Sequence, residues 1–67
     1  MKLSEATFGL AVQKGNMLGM ILGFRILDTT KTPSKANTGI LVEWSDESLT
    51  VELHTAIGQL NDHPRSK

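Results

Sequence analysis

The residues able to do chemistry in this 67-residue chain are few and scattered. It has two histidines, His54 and His63, the residue type that changes charge near neutral pH. Neither stands with carboxylates at a spacing that resembles a metal site. Serines and threonines are plentiful, but none sits in a nucleophile-elbow setting. No glycine-rich phosphate loop of the P-loop type is present. A chain of this size rarely supplies a pocket, an activated group and a supporting shell together. The expectation is therefore a non-enzyme with no catalytic, cofactor-binding or metal-ligating residue.

Recognition by charge is the chemistry left. Asp46, Glu47 and Glu52 give one segment an acidic side suited to a basic partner surface. His54 falls in phase with Thr50 and Glu52, on what reads as a polar, exposed face. Lys31 and Lys35, with Arg65 and Lys67 near the C-terminus, are basic spots that could touch phosphates if they converge. Lys31, Lys35, Asp46, Glu47, Glu52 and His54 are the candidate partner-binding residues. Trp44, the single tryptophan, is either a core anchor or an interface anchor. Its spacing with Ile40 and Val42 favours the core.

These residues are positioned by strands. Residues 40–44, Ile-Leu-Val-Glu-Trp, and residues 49–53, Leu-Thr-Val-Glu-Leu, nearly alternate apolar and polar around a four-residue polar break. That period of two reads as a β-hairpin with one buried face. Ile40, Val42 and Trp44 share a face, and so do Leu49, Val51 and Leu53. Upstream, Phe8, Leu10 and Val12 suggest a first strand, and Lys14-Gly15-Asn16 a turn. Residues 18–27 form a long apolar second strand, with Gly19 and Gly23 as bending points. Period two puts Met20, Leu22, Phe24 and Ile26 on one face and Ile21 and Leu27 on the other. Gly15, Gly19 and Gly23 also have the spacing of a membrane-helix dimer motif. The apolar run they punctuate, residues 17–24, falls well short of the roughly 20 residues that span a bilayer. Residues 28–39 are a long polar loop, a flexible connection or a binding segment. Residues 55–60 could close the sheet as a short helical turn and a last strand. The expected organisation is a flexible tail at 1–6, one domain at 7–61 and a polar tail at 62–67.

Seven basic and seven acidic residues cancel. Duplex nucleic acid is held largely by Lys and Arg against phosphates, so a balanced chain is a poor candidate for it. With no cysteine, disulfides and thiolate zinc sites are excluded, and a reducing, cytoplasmic setting fits. The first residues lack the charged start and apolar run of a secretory signal. A chain this short buries only about 60% of its unfolded surface. A protein partner or self-association is a natural way to stabilise it.

Three stretches together resemble an SH3-like small β-barrel: residues 12–15, Val-Gln-Lys-Gly; residues 19–24, Gly-Met-Ile-Leu-Gly-Phe; and residues 40–46, Ile-Leu-Val-Glu-Trp-Ser-Asp. The last is similar to the V-x-W-S-D-G hairpin of many small SH3-like proteins of tailed bacteriophages. The glycine pattern at Gly15, Gly19 and Gly23 also resembles the KOW element of ribosomal and transcription-factor barrels. The resemblance covers residues 8–61. It implies an all-β SH3-like barrel of about five strands with a long loop at 28–39, encoded by a phage and acting in the infected bacterial cytoplasm. Glu47 stands where that pattern has glycine, which points to a longer or different turn. The implied function is a non-enzymatic module for protein–protein interaction, a host-directed modulator or accessory protein. The alternatives are a nucleic-acid-binding module using Lys14, Arg25, Lys31 and Lys35, and a self-assembling structural protein.

Overall fold

Turn chemistry sets the strand order. Gly15, at φ +59°, and Asn16 close a two-residue turn between β1 (Ala11–Lys14) and β2 (Met17–Ile26), with Lys14 facing Met17. Glycine at the first central position is what such a hairpin turn demands. In this computed structural model, which describes residues 1–60, β3 (Thr38–Trp44), β4 (Leu49–Glu52) and β5 (Gly58–Gln59) complete one antiparallel sheet. The strand order is β4-β3-β2-β1-β5. Short 3-10 turns at Leu3–Glu5, Lys35–Asn37 and His54–Ala56 join or flank the strands. The sheet curls. β2 and β3 lie between β1 and β4, yet Lys14 Nζ of β1 is 3.0 Å from Glu52 Oε1 of β4 across the concave side. The expected fold class, a small all-β barrel-like domain of five strands, is what the chain adopts. No helix among the described residues is long and apolar enough to cross a membrane. Residues 17–24 lie in β2.

The concave face holds the core. Val12, Ile21, Ile40 and Val42 are completely buried, and Trp44 and Ile57 nearly so. Each such side chain contributes about 1.5–3 kcal/mol relative to exposure. Gly19, opposite Trp44, leaves room for the indole ring. A Cβ there would sit 2.7 Å from Trp44 Cε3 and 2.7 Å from Val42 Cγ1.

Two register features depart from the periodicity. In β2 the pairing runs Ile21↔Val42 and then Gly23↔Leu41, so Leu22 is an inserted β-bulge residue. The bulge flips the faces of everything beyond it. Met20 pairs with Glu43 on the convex side, whereas Phe24 and Ile26 pair with Ile40 and Thr38 on the concave side. The single face expected for Met20, Leu22, Phe24 and Ile26 does not exist.

The second departure is in the β3–β4 hairpin. Trp44 N–H donates to Ser48 O (2.8 Å), and Glu47 N–H donates to Trp44 O (2.8 Å). The loop therefore has three residues, 45–47, not four, and Glu47 takes φ +72°. This is a turn followed by a left-handed residue, a common three-residue hairpin connection. Trp44 then faces Ser48 rather than Leu49. The one-residue difference moves Leu49 and Val51 to the convex side, opposite Glu43 and Leu41. Thr50 and Glu52, expected outside, face inward opposite Val42 and Ile40.

Other corrections are smaller. Residues 1–6, expected as a flexible tail, pack onto the barrel: Ala6 is buried, and Met1 and Leu3 lie against the core. The Met1 ammonium donates to His54 O (3.2 Å) and Ile57 O (3.1 Å). Phe8 lies outside β1 and is 75% exposed, because the chain turns at Gly9 (φ +86°) before the strand begins. The long loop is organised by Asn37, the one buried polar residue among those described. Its Oδ1 accepts from Asp28 N–H (2.8 Å), and its Nδ2 donates to Asp28 O (2.9 Å). The polar tail expected at 62–67, with His63, Arg65 and Lys67, lies outside the described residues.

Candidate functional site

The six candidate residues do not converge. Lys31 and Lys35 lie in the β2–β3 loop, at one end of β3. Asp46 and Glu47 lie in the β3–β4 turn, at its other end. Seven residues of β3 separate the two ends, about 20 Å of extended chain. His54 sits in the last 3-10 turn, with Nδ1 3.1 Å from Met1 O. Among the described residues, no group of three or more His, Asp or Glu side chains stands close enough to hold a metal ion.

Asp28 and Asp46 share a local device. Asp28 Oδ1 accepts from the amide (3.0 Å) and hydroxyl (2.6 Å) of Thr30. Asp46 Oδ1 accepts from the amide (3.0 Å) and hydroxyl (2.6 Å) of Ser48. These bonds hold both carboxyls below the usual carboxylate range. Asp46 is exposed and Asp28 half-buried, and both carboxyls serve to shape their turns.

Glu52 is engaged inside the barrel. The Trp44 indole N–H donates to Thr50 Oγ1 (2.7 Å), and Thr50 O–H donates to Glu52 Oε2 (2.7 Å). Lys14 Nζ donates to the other oxygen (3.0 Å). The Glu52 side chain is only 13% exposed. Burial alone would raise its carboxyl pKa, but the bonds from Thr50 and Lys14 and the lysine charge outweigh it, leaving it below the ordinary value. The string satisfies the tryptophan's polar atom and ties β1 to β4. It accounts for Glu52 and Lys14 structurally and removes both from any list of free surface charges.

The convex face gathers several exposed apolar side chains, although Phe24 and Ile26 on the concave side and Phe8 before β1 are exposed as well. Leu18, Met20, Leu27, Leu49 and Val51 are each 40–57% exposed there, with Leu41 half-buried among them. Cross-strand pairs place them together: Met20 beside Glu43, Glu43 beside Leu49, and Leu41 beside Val51. Leu27 and Val51 close over Gly39. Ala11, Leu18, Met20, Glu43 and Leu60 line a shallow groove of ≈ 320 Å³ at one end. Monomeric soluble proteins rarely leave large contiguous apolar patches bare. Sequence reading missed it because period two assigned Leu49 and Val51 to the buried side. Glu47 gave no signal of it, because glutamate does not favour the left-handed position that a three-residue loop requires.

Two charges stand on this face. Arg25 pairs with Gly39 on the convex side, and its guanidinium lies over Gly23. Glu43 lies four residues further along β3 from Gly39. Neither has an ionic partner among the described residues. Comparison with known proteins returned no matching family model, no significantly similar curated protein and no significantly similar solved structure.

Proposed function

We propose that this chain is a non-catalytic protein-binding module whose binding surface is the convex face of the sheet. The observation that carries this reading is that face: Leu18, Met20, Leu27, Leu49 and Val51 stand exposed together on one side of a sheet whose other side already holds the core. The resemblance to SH3-like phage barrels suggests a phage-encoded accessory protein or host-directed modulator in the bacterial cytoplasm.

The nucleic-acid reading draws less support. Of its four cations, Lys14 is paired with Glu52, and Arg25 stands on a mainly apolar face. Titration with DNA and RNA at two salt concentrations tests it. No salt-sensitive binding is expected; tight binding that collapses with added salt would transfer the assignment to nucleic acid. In parallel, the wild type and Leu49→Lys are compared as baits in a bacterial lysate. A protein retained by the first and lost by the second fits the convex-face reading. Equal retention by both, with the fold intact, would refute it.

A further inference from the structure

We infer that the occupant of the convex face is a second copy of this chain, held face to face by a two-fold axis that runs between the sheets and across the strands. This deepens the protein-binding reading and rests on it. The argument is the placement of charge on an otherwise apolar surface. Arg25 and Glu43 stand apart on the face, because Gly39, the partner of Arg25, and Glu43 lie on the same side of β3 four residues apart. That spacing is about 13 Å along the strand. A two-fold axis of this orientation reverses the strand direction of one sheet over the other. It brings Arg25 of each copy level with Glu43 of the other and one strand aside, within reach of its side chain, so both charges gain opposite partners at once. The face is thus self-complementary, as an isologous interface must be.

The rest of the face suits the same arrangement. Leu41 and Val51 lie between the two charges, and Met20 and Leu49 flank Glu43 on either side; these supply apolar contact. Aligned sheets pack about 10 Å apart, a distance that interdigitating leucine and valine side chains fill. A basic or acidic protein partner would match only one of the two charges and leave the other beside apolar surface. Like charges set against one another cost affinity and select against wrong registers.

Sedimentation of the full chain over a wide concentration range reads the pairing directly. The wild type is expected at twice the 7.3 kDa chain mass at high concentration. Arg25→Glu and Glu43→Arg are each expected to raise the dimer dissociation constant about tenfold, the effect of about 1.4 kcal/mol. The double charge swap restores it, because the pair is re-formed with its signs exchanged. Leu49→Lys, at an exposed position, gives a folded monomer, with native Trp44 fluorescence as the check. A wild type that stays monomeric, or a double swap no tighter than the single reversals, would overturn the self-pairing. Binding of a hydrophobic dye separates the two levels of inference. A monomeric wild type that binds the dye, with binding lost in Leu49→Lys, leaves the face as a site for a different protein. A monomeric wild type indifferent to the dye ends both readings.

Discussion

Replacing Thr50 by valine removes a hydroxyl and leaves the shape of the side chain nearly unchanged. Thr50 Oγ1 accepts from the Trp44 indole and donates to Glu52, each at 2.7 Å. A neutral hydrogen bond is worth about 1 kcal/mol net, and one to a charged group about 1.5–3 kcal/mol. The indole N–H, on a residue only 3% exposed, would be left without its partner. The added methyl group offsets about 0.8 kcal/mol. The expected net loss is about 2 kcal/mol. For a domain of this length the whole stability is roughly 3–10 kcal/mol, and 1 kcal/mol moves Tm by about 4–8 °C. Thr50→Val is therefore expected to lower Tm by about 10 °C. Urea denaturation followed by circular dichroism, at fixed protein concentration and with an unchanged m-value, measures the loss. Trp44→Phe, which deletes the donor, completes a double-mutant cycle with an expected coupling of about 1 kcal/mol. A Thr50→Val protein within 0.5 kcal/mol of wild type, or a strictly additive cycle, would refute the hydrogen-bonded string as a stabilising element.

Three further outcomes follow from the same geometry. Glu47→Gly should raise stability by about 1 kcal/mol in a thermal melt, because glycine takes φ +72° without the steric penalty paid by a residue with a Cβ; a lower Tm would count against the three-residue turn. Gly19→Ala should cost about 2–3 kcal/mol by chemical denaturation, since its Cβ would meet Trp44 and Val42 side chains and, at 2.9 Å, the backbone oxygen of Glu43. Unchanged stability there would mean that the indole packs elsewhere. The Glu52 carboxyl lies below its unfolded value, so its contribution is fully present above the unfolded pKa and is lost as pH falls through the folded one. Acid titration of stability should therefore be shallower in Glu52→Gln than in wild type, and parallel curves would show that Glu52 is not linked to folding.

The chain's sequence by itself determined the class of fold. Alternating residues at 40–44 and 49–53 and the Gly15-Asn16 turn became strands and a turn where they suggested, with Leu53 just past β4, whereas the loop expected at 28–39 ends earlier, because Thr38 and Gly39 already belong to β3. Local signals suffice for these because strand period and turn chemistry are properties of neighbouring residues. They also placed Ile40, Val42 and Trp44 in the core correctly. What local patterning could not decide was which way the second half of each ladder faces. That depends on register, and register turned on two single residues: Leu22, inserted as a bulge, and Glu47, in a left-handed conformation. With a side-chain period of two, each one-residue shift reverses every side chain beyond it. Only the tertiary structure thus put Thr50 and Glu52 inside with Trp44 and Lys14, and Leu49 and Val51 outside on the convex face. The candidate site was illegible for that reason: its apolar members read as core, and the charges that read as surface belong partly to the interior.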